Sequence, residues 1–249
     1  MTNIGVFDSG LGGLTVLSEL IKIKNANYYY FGDTLRAPYG NRSLDEIIEF
    51  SDQIVEFLEN FNIDYYIIAC NTISVWATDY LSDKYKKKFY PITKAGLAAS
   101  LNFDGDFLAL GTKATVKSHF YKNNIESLKD TKVYEVAGVK LVDYIEVGIT
   151  SGNDLDEALE GYLEIANQKK ISNIILACTH YPIITEAIRK NLSYEANIIN
   201  PANFLTKDLK DNKSNEKSIN VFMSKIDKNS KKIIDNLIDC EYKLEVKEL

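Results

Sequence analysis

Cysteine is scarce in this 249-residue chain: three residues, an odd number spread over a long sequence, which does not make a disulfide framework. Apolar runs are short too, well below the ~18 residues that a membrane-spanning helix requires. A long basic block is missing. With 29 Lys and Arg against 35 Asp and Glu, the formal net charge is −6, which argues against a protein that grips nucleic acid through its phosphates. The N-terminus, Met1-Thr2-Asn3-Ile4-Gly5, has no basic stretch followed by an apolar one, so no export signal is expected. These absences leave a soluble, cytoplasmic protein as the expectation, long enough for one large domain or two modest ones.

What is present is an alternation of short apolar runs and amphipathic stretches. Strands are expected at Ile4–Phe7, Tyr28–Gly32, Tyr65–Ala69, Phe107–Leu110, Val133–Val136 and Ile174–Ala177. Each is a continuous run containing β-branched or aromatic residues, the pattern of strands covered on both faces. The clearest helix opens at Ser43, where Ser43 and Glu46 fit a capping box. Apolar residues follow at Ile47, Phe50, Ile54, Phe57 or Leu58, and Phe61, one stripe of a 3.6-residue period. Alternating strand and helix predicts an α/β fold with mostly parallel sheets flanked by helices. The lysine-rich tail opens at Lys207–Ser214 as a candidate linker, then reads strand (Ile219–Met223), helix (Ile233–Ile238) and strand (Leu244–Val246).

An internal echo organises the chain further. Ile67-Ile68-Ala69-Cys70-Asn71-Thr72 resembles Ile175-Leu176-Ala177-Cys178-Thr179-His180, 108 residues later. Val6-Phe7-Asp8-Ser9 and Ala109-Leu110-Gly111-Thr112 form a second pair, 103 residues apart. Two pairs at nearly one spacing predict two pseudo-symmetric α/β halves. Ligands of open α/β sheets bind beyond the carboxyl ends of the strands, so the echoed polar ends would line one cleft.

Cys70 and Cys178 are the candidates for chemistry. A free cysteine is ordinarily a small buried hydrophobe, and Cys240 reads that way. A structural cysteine has no need of polar neighbours at a strand's carboxyl end, yet Cys70 and Cys178 both have them. Thiols titrate near pH ~8.5 and can be tuned downward, so each could accept or donate a proton near neutrality. A pair on opposite walls of a cleft could remove a proton from one face of a carbon and return one to the other, inverting a stereocentre. His180, two residues after Cys178, is a proton partner for the second thiol. Asp8 occupies the matching place in the first half, where it could also cap the helix after Gly10–Gly13. His119, the other of the two histidines, reads as a helical surface residue.

The turn Asp8-Ser9-Gly10-Leu11-Gly12-Gly13-Leu14-Thr15 follows a strand and opens a helix, with Asp33 further on, as in a dinucleotide-binding fingerprint. Thr15 stands where that pattern needs its last glycine, and no Gly-Lys-Ser/Thr ending makes a Walker-type loop. The turn is better suited to offering backbone N–H groups to a small carboxylate. A zinc site would draw on close-spaced cysteine pairs, which are missing, so no metal is expected.

Together these motifs resemble the cofactor-independent glutamate racemases. Ile4–Gly10 with Gly12–Val16, Phe31–Thr34 through Pro38–Gly40, Ala69–Thr72, Gly111–Thr115 and Cys178–Pro182 are similar to that family's motifs in the same order, from residue 3 to about 190. The resemblance implies two α/β domains, 1–92 plus 207–249 and 93–206, with glutamate bound between them and no cofactor. It implies Cys70 and Cys178 as the two acid/base groups, with Asp8 assisting the first and His180 the second. Glu146, in Tyr144-Ile145-Glu146-Val147-Gly148, is implied as the acid that orients His180. Substrate contacts are implied at Asp8, Ser9, Pro38, Tyr39, Gly40, Cys70, Asn71, Thr72, Thr112, Thr115, Cys178, Thr179 and His180. A homodimer and a role in supplying D-glutamate for peptidoglycan are implied as well. The chain departs from the family pattern at Ile73 and Val75, at Gly138–Asp143, which lacks a proline-containing segment, and at Asn200-Pro201-Ala202.

Three rivals stand beside this reading: a racemase of aspartate or another small amino acid, a non-catalytic two-lobed amino-acid-binding protein, and a nicotinamide oxidoreductase. Paired cysteines argue against mere binding, and Thr15 argues against the nucleotide.

Overall fold

A computed structural model describes residues 1–209 and 217–249. The expected linker opening at Lys207 lies, from residue 210 onward, outside the described residues.

Among the described residues ten strands form two sheets. They are β1 (Asn3–Asp8), β2 (Asn27–Gly32), β3 (Tyr65–Ile68), β4 (Lys88–Pro91), β5 (Phe107–Gly111), β6 (Val133–Ala137), β7 (Asn173–Ala177), β8 (Asn197–Ile199), β9 (Ser218–Met223) and β10 (Lys243–Val246). The first sheet runs β10-β9-β2-β1-β3-β4 and the second β6-β5-β7-β8. Every pairing is parallel. Helices cover both faces, so the inner strands bury alternate side chains on opposite sides. Val6 and Tyr30 pack with one apolar cluster, while Phe7 and Phe31 pack with the other. In the second sheet Leu110 and Leu176 serve one face, and Ala109 and Ile175 the other.

All six strands read from the main body of the sequence are present, and so is the strand–helix–strand of the tail. The tail completes the first sheet: β9 pairs with β2, Tyr30 opposite Val221, and β10 lies outside it. β4 and β8 escape a sequence reading because each is a short sheet edge with polar residues in it, without a continuous apolar run.

The helix Leu44–Leu58 begins where predicted. Ser43 Oγ accepts from the Glu46 backbone N–H at 3.3 Å, and Glu46 Oε2 accepts from the Ser43 N–H at 2.9 Å. Its expected stripe ends early: Phe61 belongs to a 3-10 turn, Glu59–Phe61, that closes at Asn62 with φ 51°. His119 is not within a helix. It stands at the break between helices Lys113–Lys117 and Phe120–Leu128 with φ 52°, exposed, its Nδ1 2.6 Å from Glu135 Oε2.

Candidate functional site

The parallel strands deliver the polar motifs to one place. β1 ends at Asp8, β3 just before Cys70, β5 just before Thr112, and β7 just before Cys178. Cys70 and Cys178 line the same narrow cavity, in which the space open to a water-sized sphere is ≈ 10 Å³. Both are buried, and both belong to chain turns that begin helical structure. Cys70 is the extended residue that precedes the helix Asn71–Trp76; Cys178 and Thr179 lead to His180, which opens the 3-10 turn Tyr181–Ile184.

On the Cys70 side, Ser9 Oγ lies 3.5 Å from the sulfur. Asp8 sits fully buried behind it. Its carboxylate accepts from the Gly10 N–H at 2.8 Å, from Thr179 Oγ1 at 3.0 Å and from the Gly13 N–H. The glycine turn, expected to offer its N–H groups to a ligand, therefore spends two of them on the chain's own Asp8. A strand-end aspartate is already within reach of those donors, at the start of the helix Gly13–Ile23. Burial raises the Asp8 pKa, against the pull of the His180 charge and these hydrogen bonds. Burial and then the Asp8 charge push the Cys70 thiol up to about 12, with the Ser9 bond opposing. At rest Cys70 carries its proton.

The Cys178 side is built differently. His180 Nδ1 lies 3.7 Å from Cys178 Sγ, and His180 Nε2 lies 3.0 Å from Glu146 Oε1 at the end of the helix Leu141–Glu146. Burial works against the imidazolium, but the hydrogen bonds and charges of Cys178 and Glu146 outweigh it, and the His180 pKa stands well above its ordinary value. His180 is so tightly packed that a Cβ on Gly12 would come within 2.4 Å of its Nδ1. The two sulfurs therefore stand in unlike surroundings, one beside a histidine that holds its proton firmly and the other beside a buried carboxylate.

Hydroxyls complete the cavity. Thr72 Oγ1 is 2.8 Å from Thr112 Oγ1, which in turn lies 2.9 Å from Thr115 Oγ1, tying the helix after Cys70 to the one that Thr112 caps. Gly40 packs against Thr112, where a Cβ would come to 2.7 Å. Pro38 and Tyr39 form another wall, and the Tyr39 hydroxyl donates to buried Asp33, which also pairs with Arg36.

Most of the residues expected at the site line the cavity: Ser9, Pro38, Tyr39, Gly40, Cys70, Asn71, Thr72, Thr112, Cys178, Thr179 and His180. Asp8, Thr115 and Glu146 stand behind it, each bonded to a lining residue. Val142 also lines it and was missed. The available signal was helical spacing, since Val142 is one turn before Glu146 on the same helix. Among the described residues no group of three or more His, Cys, Asp or Glu side chains could hold a metal ion, and no helix is long and apolar enough to cross a membrane.

Comparisons with known proteins point the same way. Residues 19–208 match the Asp/Glu/hydantoin racemase family. A glutamate racemase of Carboxydothermus hydrogenoformans is 37% identical over 220 residues, covering 84% of this chain and 81% of that protein. The crystal structure of the Francisella tularensis glutamate racemase in complex with D-glutamate superposes with a TM-score of 0.90 at 32% identity, covering 99% of this chain and 97% of that one. A glutamate racemase isoform from Bacillus anthracis gives 0.91 at 26% identity, covering 100% and 98%.

Proposed function

The chain belongs to the Asp/Glu/hydantoin racemase family, and from that premise we propose that it is a glutamate racemase working by two cysteines without a cofactor. The observation that carries the reading is that both sulfurs line one cavity, with unlike proton partners on its two sides.

In one direction Cys178, as thiolate beside the His180 imidazolium, takes the α-proton from one face of glutamate. The Cα–H bond breaks, an S–H bond forms, and the electron pair stays on the substrate, delocalised into the α-carboxylate. Cys70 then gives its thiol proton to the opposite face of Cα and is left as thiolate. One thiol and one thiolate exchange places, with no net oxidation. The other enantiomer runs the same steps backwards, with Asp8 assisting proton movement at Cys70. An α-proton next to a carboxylate is weakly acidic, so the enolate-like state needs prearranged donors. The Thr72 hydroxyl and the backbone N–H groups after Cys70 are the candidates. The tight cavity keeps water away, and opening between the two sheets would admit the substrate.

The family resemblance carries the rest of the reading: a cytoplasmic homodimer that supplies D-glutamate for peptidoglycan.

The test is incubation of the native protein with each glutamate enantiomer in D₂O, without added cofactor, following α-deuteration and optical rotation. Racemisation is expected, with near-total loss in both Cys70→Ala and Cys178→Ala. Full racemisation by either variant removes the two-cysteine scheme. Turnover of aspartate with none of glutamate would move the substrate assignment, and tight binding without α-exchange would support a binding protein.

A further inference from the structure

One buried donor at the cavity has no partner. Asn71, the residue after Cys70, is 2% exposed and lines the cavity, yet its Nδ2 makes no hydrogen bond among the described residues. Its other amide atom is held. Tyr121 Oη donates to Asn71 Oδ1 at 2.9 Å from the helix Phe120–Leu128, on the far side of the molecule's division into two sheets. Tyr121 itself is 1% exposed and packs with the core beneath β5 and β7. Burial holds its phenol well above the ordinary pKa, so the hydroxyl keeps its proton.

A third residue makes the contact possible. Gly96, in the helix Ile92–Ser100, lies so close to the phenol that a Cβ there would stand 2.6 Å from Tyr121 Oη. Any side chain at 96 would displace the hydroxyl that grips Asn71.

A primary amide is ambivalent, an acceptor at one corner and a double donor at the other. Without a partner for Oδ1 it could turn its oxygen to the cavity, where it would oppose an anion. We infer that Tyr121, given room by Gly96, is a positioning residue that fixes the Asn71 amide with its Nδ2 donor toward the cavity, where it binds a carboxylate oxygen of the substrate. The inference rests on the glutamate reading above and adds to it the atom that makes the contact and the residues that aim it. A buried donor left unpaired is costly, and a carboxylate supplies the acceptor it needs. Because a carboxylate is present throughout the reaction, the contact supports binding more than the chemical step.

The test is the dissociation constant for D-glutamate by titration calorimetry, alongside KM and kcat, in the native protein, Tyr121→Phe, Gly96→Ala and the double variant. Tyr121→Phe keeps the ring in the core and removes one hydroxyl. Dissociation constant and KM should both rise about tenfold, with kcat held within about twofold. Gly96→Ala should weaken binding comparably in the native background and add little in the Tyr121→Phe background, where the contact is already gone. Unchanged binding in Tyr121→Phe, a loss confined to kcat, or additive effects of the two substitutions would overturn the inference. A native protein that binds glutamate without α-deuteration, while Tyr121→Phe still weakens binding, would remove the racemase reading and keep this one. A native protein that does not bind glutamate at all would overturn both.

Discussion

Thr179 Oγ1 donates to Asp8 Oδ2 at 3.0 Å, bridging 171 residues of chain between the end of β7 and the end of β1. Thr179 thus bonds to the carboxylate behind one sulfur while standing next to the other sulfur. Thr15 reinforces the join, its hydroxyl donating to the Thr179 carbonyl at 2.9 Å. The two sides of the cavity are therefore tied together by direct hydrogen bonds, and a change on one side should be felt on the other.

Replacing Glu146 with Gln keeps the shape of the side chain but removes the negative charge from His180 Nε2. The histidine's raised pKa should fall toward the ordinary 6.5. A proton partner that must be charged is lost above its pKa, so the alkaline limb of the kcat/KM profile should shift to lower pH. The loss at pH 8 should be on the order of 10²-fold, the usual share of a positioned acid–base group. The stability sign follows the same linkage. A raised folded-state pKa stabilises fully below the unfolded value of 6.5, and that contribution fades as pH rises through the folded pKa. Melting temperatures of native and variant should therefore differ most in mild acid and converge at alkaline pH. An unshifted alkaline limb would show that Glu146 does not govern His180.

Asp8→Asn should uncouple stability from activity. Asp8 is a buried acid with a raised pKa, so in the unfolded chain it ionises near 3.8, before the folded form does. Folding is penalised progressively as pH climbs from that value through the folded pKa, and the penalty persists above it. The variant should melt higher than the native protein at pH 8, with the gain shrinking as the solution is acidified toward 3.8, while racemisation falls. Cys70 reports on the same charge. With its thiol pushed up to about 12, Cys70 is protonated at pH 8 and a poor nucleophile. Iodoacetamide should modify half-buried Cys240 well before Cys70, and Asp8→Asn should speed Cys70 modification, as read by peptide mass spectrometry. A lower melting point for the variant at pH 8 would contradict the argument.

Gly12→Ala should damage the site more than the fold. The new Cβ would meet His180 Nδ1 at 2.4 Å and Thr179 Oγ1 at 2.5 Å, atoms held by Cys178, Glu146 and Asp8. Displacing the imidazole by a fraction of an ångström to an ångström should cost on the order of 10²-fold in kcat. Far-UV circular dichroism should be unchanged. Full activity in this variant would mean that His180 has freedom the packing denies it.

The site was legible where chemistry and punctuation coincide. Cys70 and Cys178 each interrupt an apolar run with polar neighbours, and the repeat of that interruption foretold a shared cavity. Ser43 and Glu46 announced a helix start through local hydrogen bonding alone. β4 and β8 were not legible, because each owes its role to what lies across from it. The glycine turn was half legible: its N–H groups do hold a carboxylate, but one that belongs to Asp8.

The sequence alone determined the alternation of strand and helix, the pairing of two cysteine-bearing strand ends, and the residue types available around them. These are local properties, set by side-chain periodicity and by what each residue can donate or accept. Tertiary structure decided how firmly Cys70, Asp8 and His180 hold their protons. Burial and the Asp8 carboxylate behind Cys70 raise that thiol, and the Glu146–His180 pair stands beside Cys178. Desolvation and charge act through space between residues far apart in the chain, and only folding sets those distances.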